Sequence, residues 1–330
     1  MIPAGMFFKR LIVILIFTCP FLVNAKWYKH TFNVMGTQSS IEFWLDPQEN
    51  SDDLADHIIA LLVTELNRID EKMSPYKPAS ELSRVNQKAA FKPVVISVEL
   101  FNLIEKAQAI SQLSDGSFDI TYASVGYHYN YRDHIKPSQA IIDESTAIID
   151  YTSLALNRTT LEIYFQQPKI KIDLGGIAKG YAIKQCINIL KNKGIEHALV
   201  SAGGDTALLG DRRGRDWLVG IKHPRAHHKT AVHIPLTNEV ISTSGDYERY
   251  FIEKGIRYHH IIHPDTGKSA KGVVSVSIIG QDATYVDALS TTIFVKGLAK
   301  GMDFINGLDG YEAIIIDNEQ KLHFSKGLQQ

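Results

Sequence analysis

An α+β fold is the expectation for this 330-residue chain, and three observations predict it. Helical apolar stripes recur at widely separated places, around 54–69, 100–113 and 178–190. Alternating strand-like runs cluster just after residue 25 and again through the last third. The two kinds of segment are mixed without regular strand–helix alternation, which disfavours a doubly wound α/β sheet.

Composition removes several classes of protein. Thirty-five Lys and Arg face 36 Asp and Glu, and 45% of residues are apolar. That is too apolar and too balanced for a disordered chain. It provides no electrostatic footprint for nucleic acid. Two Cys cannot frame a disulfide scaffold. The length fits two domains, or one large domain with two lobes.

Residues 1–25 read as a signal peptide. Lys9 and Arg10 precede the apolar run Leu11–Phe17, and Val23-x-Ala25 has the small-residue character of a cleavage site. The run is short for a bilayer span and is broken by Pro20. Ile16-Phe17-Thr18 before Cys19 makes a poor lipidation box, so no lipid anchor is expected. A mature chain from Lys26 loses Lys9 and Arg10, leaving 33 basic against 36 acidic residues, a net charge of −3. It keeps Cys186 alone, at helical spacing among apolar neighbours, which reads as a buried structural thiol.

The elements follow in order. Residues 27–45 form two strands around Met35-Gly36-Thr37, with Ile41, Phe43 and Leu45 alternating. A helix begins after Ser51, carries Leu54, Ile58, Leu61, Leu62, Glu65, Leu66 and Ile69 on one stripe, and ends at Ser74-Pro75. Ser80 opens a short helix through Asn86. Ser97 caps another, and Asp115-Gly116 closes it. The Tyr-rich stretch 117–132 resists assignment. Strands are expected at 161–165 and 170–173, then a helix at 178–191 striped by Ala178, Ala182, Ile183, Cys186, Ile187 and Leu190. Further strands are expected at 197–201, 217–221, 231–234, 240–243, 258–262 and 273–279, with helices at 283–296 and 299–307.

Three constellations can carry chemistry. Lys171-Ile172-Asp173-Leu174-Gly175-Gly176 runs into a helix containing Lys179, and a helix start offers unpaired N–H groups to an anion. It is neither a P-loop nor a G-x-G-x-x-G turn; by itself it is equally an ordinary turn. Asp287 and Thr291, four apart on a helix, share a face and supply hard oxygens suited to Mg²⁺; the competing reading is a Thr291 hydroxyl bonded back to the carbonyl of residue 287. His259, His260 and His263 at a strand end invite a zinc reading, but no Cys or H-x₃₋₅-H spacing supports it. Met35-Gly36-Thr37, Ser74-Pro75-Tyr76, 116–121, Ser201–Asp205 and Ser242–Tyr247 are each unremarkable alone.

Taken in order, these motifs resemble the FAD:protein FMN transferase family, the ApbE-like flavin transferases, over nearly the whole of residues 26–330. The resemblance implies an ApbE-like, T-fold-related α+β domain of two lobes with FAD between them, in a periplasmic protein. It implies Mg²⁺-dependent transfer of FMN from FAD to a Thr hydroxyl, releasing AMP. The acceptor would be an electron-transport subunit or a periplasmic flavoprotein, with inner-membrane association through that acceptor and no nucleic-acid partner. Position by position, it implies FAD contacts at Met35, Tyr76, Ser117, Phe118, Asp119, Asp173, Lys179 and Ile262. It implies metal ligation by the Gly176 carbonyl, Asp287 and Thr291, and assistance to the transfer by His260. Two departures stand out: His263 replaces the usual Asp of the turn, and 125–131 keeps only the aromatic character of the family's segment. Alternative readings are an FAD pyrophosphatase on the same site, a non-catalytic flavin-binding protein and a His-based metal protein.

Overall fold

The computed structural model describes residues 26–46, 52–226 and 228–329. The signal peptide expected at residues 1–25 lies outside them, as do Ser51 and His227. Strands β1 (Lys26–Val34) and β2 (Thr37–Leu45) pair with Val34 opposite Thr37. A two-residue turn joining twisted strands needs left-handed backbone at both positions. Met35 (φ 53°) and Gly36 (φ 70°) supply it.

Helix α1 (Asp52–Met73) buries Ala55, Ile58, Leu62, Leu66, Ile69 and Met73. Glu65, the polar member of the expected stripe, sits at its edge and accepts two bonds from Arg68. Helix α2 (Glu81–Lys88) starts at Ser80, whose hydroxyl accepts from the Ser83 N–H. Strand β3 (Val94–Val95) leads to α3 (Val98–Leu113), capped by Ser97. The Tyr-rich stretch becomes a 3₁₀ turn and a single helical turn, α4 (Ala123–Gly126). Helix α5 (Gln139–Thr146), capped by Ser138, was not expected from the sequence; only Ile142 and Ser145 of it are buried, so it carries no apolar stripe.

Strands β4 (Leu154–Asn157) and β5 (Glu162–Phe165) join β3 in a small sheet. The strand expected at 170–173 is absent. Its backbone is satisfied by other means: the Asn86 amide donates to the Ile172 carbonyl and accepts from the Ile172 N–H, both at 2.8 Å. Helix α6 (Ala178–Asn192) buries the whole expected stripe, Cys186 included. Burial pushes the Cys186 thiol up, away from reactivity.

Strands β6 (Ala198–Ala202) and β7 (Asp205–Leu209) flank Gly203-Gly204, and β8 (Trp217–Lys222) pairs with β9 (Thr230–Leu236). Then come β10 (Val240–Gly245), the hairpin β11 (Tyr250–Glu253) and β12 (Ile256–His259), the short pair β13 (Ile262–His263) and β14 (Lys268–Ser269), and β15 (Val273–Gly280). Helix α7 (Ala283–Ile305) contains both helices expected there, broken where Gly297 adopts φ 72°. Strands β16 (Glu312–Asp317) and β17 (Leu322–Phe324) end the fold.

Eight strands form one antiparallel sheet in the order β1-β2-β6-β7-β10-β15-β16-β17. Helices α6 and α7 cover one face, with α1 beside α6. On the other, Trp217, Ile221 and Leu236 of β8–β9 pack against Leu208, Ile241, Ile279 and Ile314. Strand β15, between both layers, is buried at all eight positions. At one end Arg212 lies 5.0 Å from the Trp27 ring and 4.9 Å from Trp217, and Trp27 meets Trp44 edge-on at 5.5 Å.

Helices α6 and α7 touch at backbone distance. A Cβ on Gly180 would stand 2.1 Å from the Ala283 carbonyl oxygen and 2.6 Å from the Asp287 Cβ. Asp282 tightens the contact by capping α7 and holding Lys184 of α6 at 2.9 Å. Gly180→Ala therefore loses about 1–3 kcal/mol by overpacking, outweighing the roughly 1 kcal/mol alanine otherwise gains over glycine in a helix. Urea unfolding measures it, and an unchanged midpoint would exclude a tight crossing.

Candidate functional site

The first turn of α6 has no side-chain cap of its own: Ile177 supplies none. Asp287, from α7, takes that place. Its Oδ2 accepts from the Gly180 N–H at 2.8 Å, a position where a carboxylate also meets the positive end of the helix dipole. Asp287 is 2% exposed. Lys179 Nζ lies 3.4 Å from its Oδ1 and 2.5 Å from Asp205 Oδ2. Asp205, 1% exposed at the start of β7, also accepts from the Ser242 hydroxyl across the β7–β10 pairing.

Electrostatics follow from this packing. Burial, and then the neighbouring Asp205, push Asp287 up to about 7. Burial opposes the Lys179 charge, but Asp205 and Asp287 more than offset it, so the ammonium holds its proton above the ordinary lysine range.

Thr291 lies one turn along α7 from Asp287. It does not bond back to residue 287; that carbonyl accepts from the Ser290 hydroxyl at 2.8 Å. Thr291 Oγ1 instead stands 3.3 Å from Ser244 Oγ. On its other side is Gly176, where a Cβ would come within 3.3 Å of Thr291 Oγ1 and of Phe118. Glycine leaves the backbone there open. A buried carboxylate with one oxygen facing only an ammonium, a hydroxyl and an adjacent main chain are hard donors. That set fits a cation such as Mg²⁺, which takes few protein groups and keeps waters.

The histidines do not converge. His259 Nε2 is paired with the Ala270 carbonyl at 2.9 Å, and His263 Nδ1 accepts from the Asp265 N–H. Among the described residues no three His, Cys, Asp or Glu side chains are arranged to hold a metal.

A second group forms around Arg249. A Cβ on Gly36 would lie 3.2 Å from its Nη2, which places the guanidinium beside the Met35-Gly36 turn. Its charge acts on Asp173, Tyr76, Tyr122 and His260. Tyr76 is 75% exposed, an aromatic surface open to a ligand. Asp173 is buried, accepts from the Gly175 N–H at 2.6 Å, and is raised by that burial. His260 has an Nδ1 buried without a hydrogen-bond partner. Burial first, then Arg249, push it down to about 3, so its ring is neutral at physiological pH.

Four further residues expected to contact FAD are Ser117, Phe118, Asp119 and Ile262. Phe118 lies buried beside Gly176, with Ser117 half-buried next to it. Asp119 spends both oxygens on protein, accepting from the Thr121 N–H and hydroxyl at 2.7 Å and from the Tyr151 N–H at 3.0 Å. Burial still raises it to about 6. It also borders a cavity of about 720 Å³, with Asp150 and Thr266 on its walls. Ile262 packs with Val125, Tyr129 and Ile142, and its backbone pairs with Ser269. Arg249 escaped the sequence reading. Its one signal was position, two residues after Tyr247 in the Ser242–Tyr247 motif.

Residues 35–315 match the model of the ApbE family. The FAD:protein FMN transferase of Vibrio cholerae serotype O1 is 31% identical over 279 residues, 81% of each chain. That of Klebsiella pneumoniae is 27% identical over 310 residues, 90% of this chain and 94% of its own. Among solved structures, the ApbE protein of Thermotoga maritima superposes with TM-score 0.83 at 32% identity, covering 92% of this chain and 98% of that one. The flavin transferase ApbE from Vibrio cholerae superposes with TM-score 0.81 at 25% identity, covering 93% and 99%. The expected α+β architecture is the one these proteins share, and the chain belongs to the ApbE family.

Proposed function

We propose that this chain, a flavin transferase of the ApbE family, moves FMN from FAD to a threonine hydroxyl of an acceptor protein, depends on Mg²⁺ and releases AMP. The observation that carries the reading is the convergence of Gly176, Lys179, Asp287 and Thr291 at the start of α6. A Mg²⁺ ion held by the Gly176 carbonyl, Asp287 and Thr291 would draw charge from the FAD pyrophosphate as a Lewis acid.

The chain's own groups do the rest. Lys179 meets the phosphates, and it keeps its proton to do so. Tyr76, Met35 and the Asp173 segment hold the flavin end, and Phe118 with Ser117 closes the site beside Gly176. Asp119 and Ile262 frame it through capping and packing. The threonine oxygen forms a bond to the FMN phosphorus, and the bond from that phosphorus to the bridging oxygen breaks. AMP leaves with the bridging oxygen. His260, neutral and with a free Nδ1, accepts a hydrogen bond from the threonine hydroxyl and orients it for attack, and the hydroxyl proton leaves with the AMP phosphate.

The leader supports a periplasmic site of action after cleavage near Lys26. No helix of the described residues is long and apolar enough to cross a membrane. Contact with the inner membrane would come through the acceptor, an electron-transport subunit or periplasmic flavoprotein.

Incubation of the mature chain with FAD, Mg²⁺ and a candidate acceptor domain gives an FMN-sized mass gain on one threonine and an equal amount of AMP. AMP without any mass gain identifies an FAD pyrophosphatase instead. Asp287→Ala lowers AMP release by about 10²-fold or more, and His260→Ala lowers transfer by about 10²–10⁴-fold.

The pH dependence has a definite sign. Cation binding requires ionised Asp287, so Mg²⁺ affinity rises as pH passes upward through about 7. Calorimetry at pH 6 and pH 8 measures this, and equal affinities would remove Asp287 from the ligand set. Without cation the trend in stability reverses. The folded state retains a proton that the unfolded carboxylate releases near pH 4 (about 3.9), so this group makes stability fall as pH rises from about 4 to 7.

A further inference from the structure

Asp287 has two oxygens, and one is already committed. Oδ2 accepts from the Gly180 N–H, which leaves Oδ1 as the oxygen for a cation. That oxygen also faces Lys179 Nζ, at 3.4 Å. The ammonium and a bound cation therefore compete for one atom. The competition is biased by Asp205, which holds the same ammonium at 2.5 Å. Asp205 is itself fixed: its Oδ1 accepts from Ser242, leaving Oδ2 aimed at the lysine. Asp205 and Asp287 are the two carboxylates in ion-pair contact with Lys179 among the described residues.

We propose that Asp205, oriented by Ser242, is a positioning residue that draws Lys179 off Asp287 and so keeps Oδ1 available to the metal. The inference rests on the Mg²⁺ reading given above. In this role Asp205 touches neither metal nor FAD; it acts through the lysine. Two carboxylates and one ammonium leave one local negative charge for the cation. Without Asp205, the lysine and Asp287 close into a self-neutral pair, and a cation must displace an ammonium from a buried carboxylate. With Asp205, the lysine stays charged beside the metal, placed for a phosphate and not for Asp287.

A cycle of four proteins tests this: the mature chain, Asp205→Asn, Lys179→Met and the double variant, each titrated calorimetrically with Mg²⁺ in the absence of FAD. Asp205→Asn alone weakens Mg²⁺ binding about tenfold or more, and the loss is at least about threefold smaller once Lys179 is methionine. A loss of equal size in both backgrounds overturns the inference, because Asp205 then acts through its own charge and not through the lysine. An unchanged affinity in Asp205→Asn overturns it as well. Ser242→Ala retains the charge and releases one oxygen of Asp205. It weakens Mg²⁺ binding in the same direction, again dependent on Lys179, and covers the case in which Asp205→Asn does not fold. Absence of Mg²⁺ binding in the unaltered chain removes the metal reading itself, an outcome distinct from equal losses in a chain that does bind.

Discussion

The missing side chain at Gly180 is the constraint from which the site follows. Two helices cross at backbone distance only where one of them has no Cβ, and here the crossing falls in the first turn of α6. That turn has unpaired N–H groups to satisfy. The Asp287 carboxylate reaches one of them, the Gly180 N–H, because α7 is close enough, and so one helix is capped by a residue of another. Lys179, the neighbour of Gly180, is then carried to the same carboxylate, and Thr291, a turn further along α7, is carried to Gly176. A wider crossing would separate all four groups at once.

Local charge, not total charge, governs this centre. The chain as a whole carries a formal net charge of only −1, while within the site two buried carboxylates and one ammonium stand in contact. Hydroxyls complete the set: Ser242 serves Asp205, and Ser244 bridges Ser290 at 2.8 Å and Thr291 at 3.3 Å. Every one of these groups sits on an element packed into the main core, so the geometry is held by β7, β10, α6 and α7 and not by loops. The group around Arg249 is built otherwise, from a hairpin turn, an exposed tyrosine and an arginine at the surface.

Much of this was legible beforehand. The α1 and α6 stripes, the β1–β2 hairpin and the Asp173–Lys179 passage into a helix show in local patterning, because each is fixed by neighbours within a few residues. Strands β3, β4, β7, β11, β14, β16 and β17 and helix α5 were missed. Strand β16 is buried on both faces and lacks alternation, while α5 lies at the surface with little to bury. The segment 170–173 looked like a strand because Ile170 and Ile172 alternate with polar residues and are both buried; the partner of Ile172 is a distant asparagine side chain, which no local pattern reveals. The site divides in the same way. Asp287 and Thr291 share a helix face and could be paired by spacing. Asp205 and Ser242 were visible as motif residues without a task, since their task depends on sheet register 37 residues apart in sequence.

The tryptophans carry a last consequence. All three in the chain, Trp27, Trp44 and Trp217, belong to the arginine-stacked cluster at one end of the main sheet. Intrinsic indole emission is therefore a single-location probe. It follows the attachment of β1 and the docking of β8 onto the sheet, in environments set by Arg212 and Arg213. A variant of α6 or α7 that changes this emission has disturbed the scaffold as a whole, whereas one that leaves it untouched while altering ligand behaviour has acted locally. The fold thus contains its own optical control for separating damage to the framework from changes in the site.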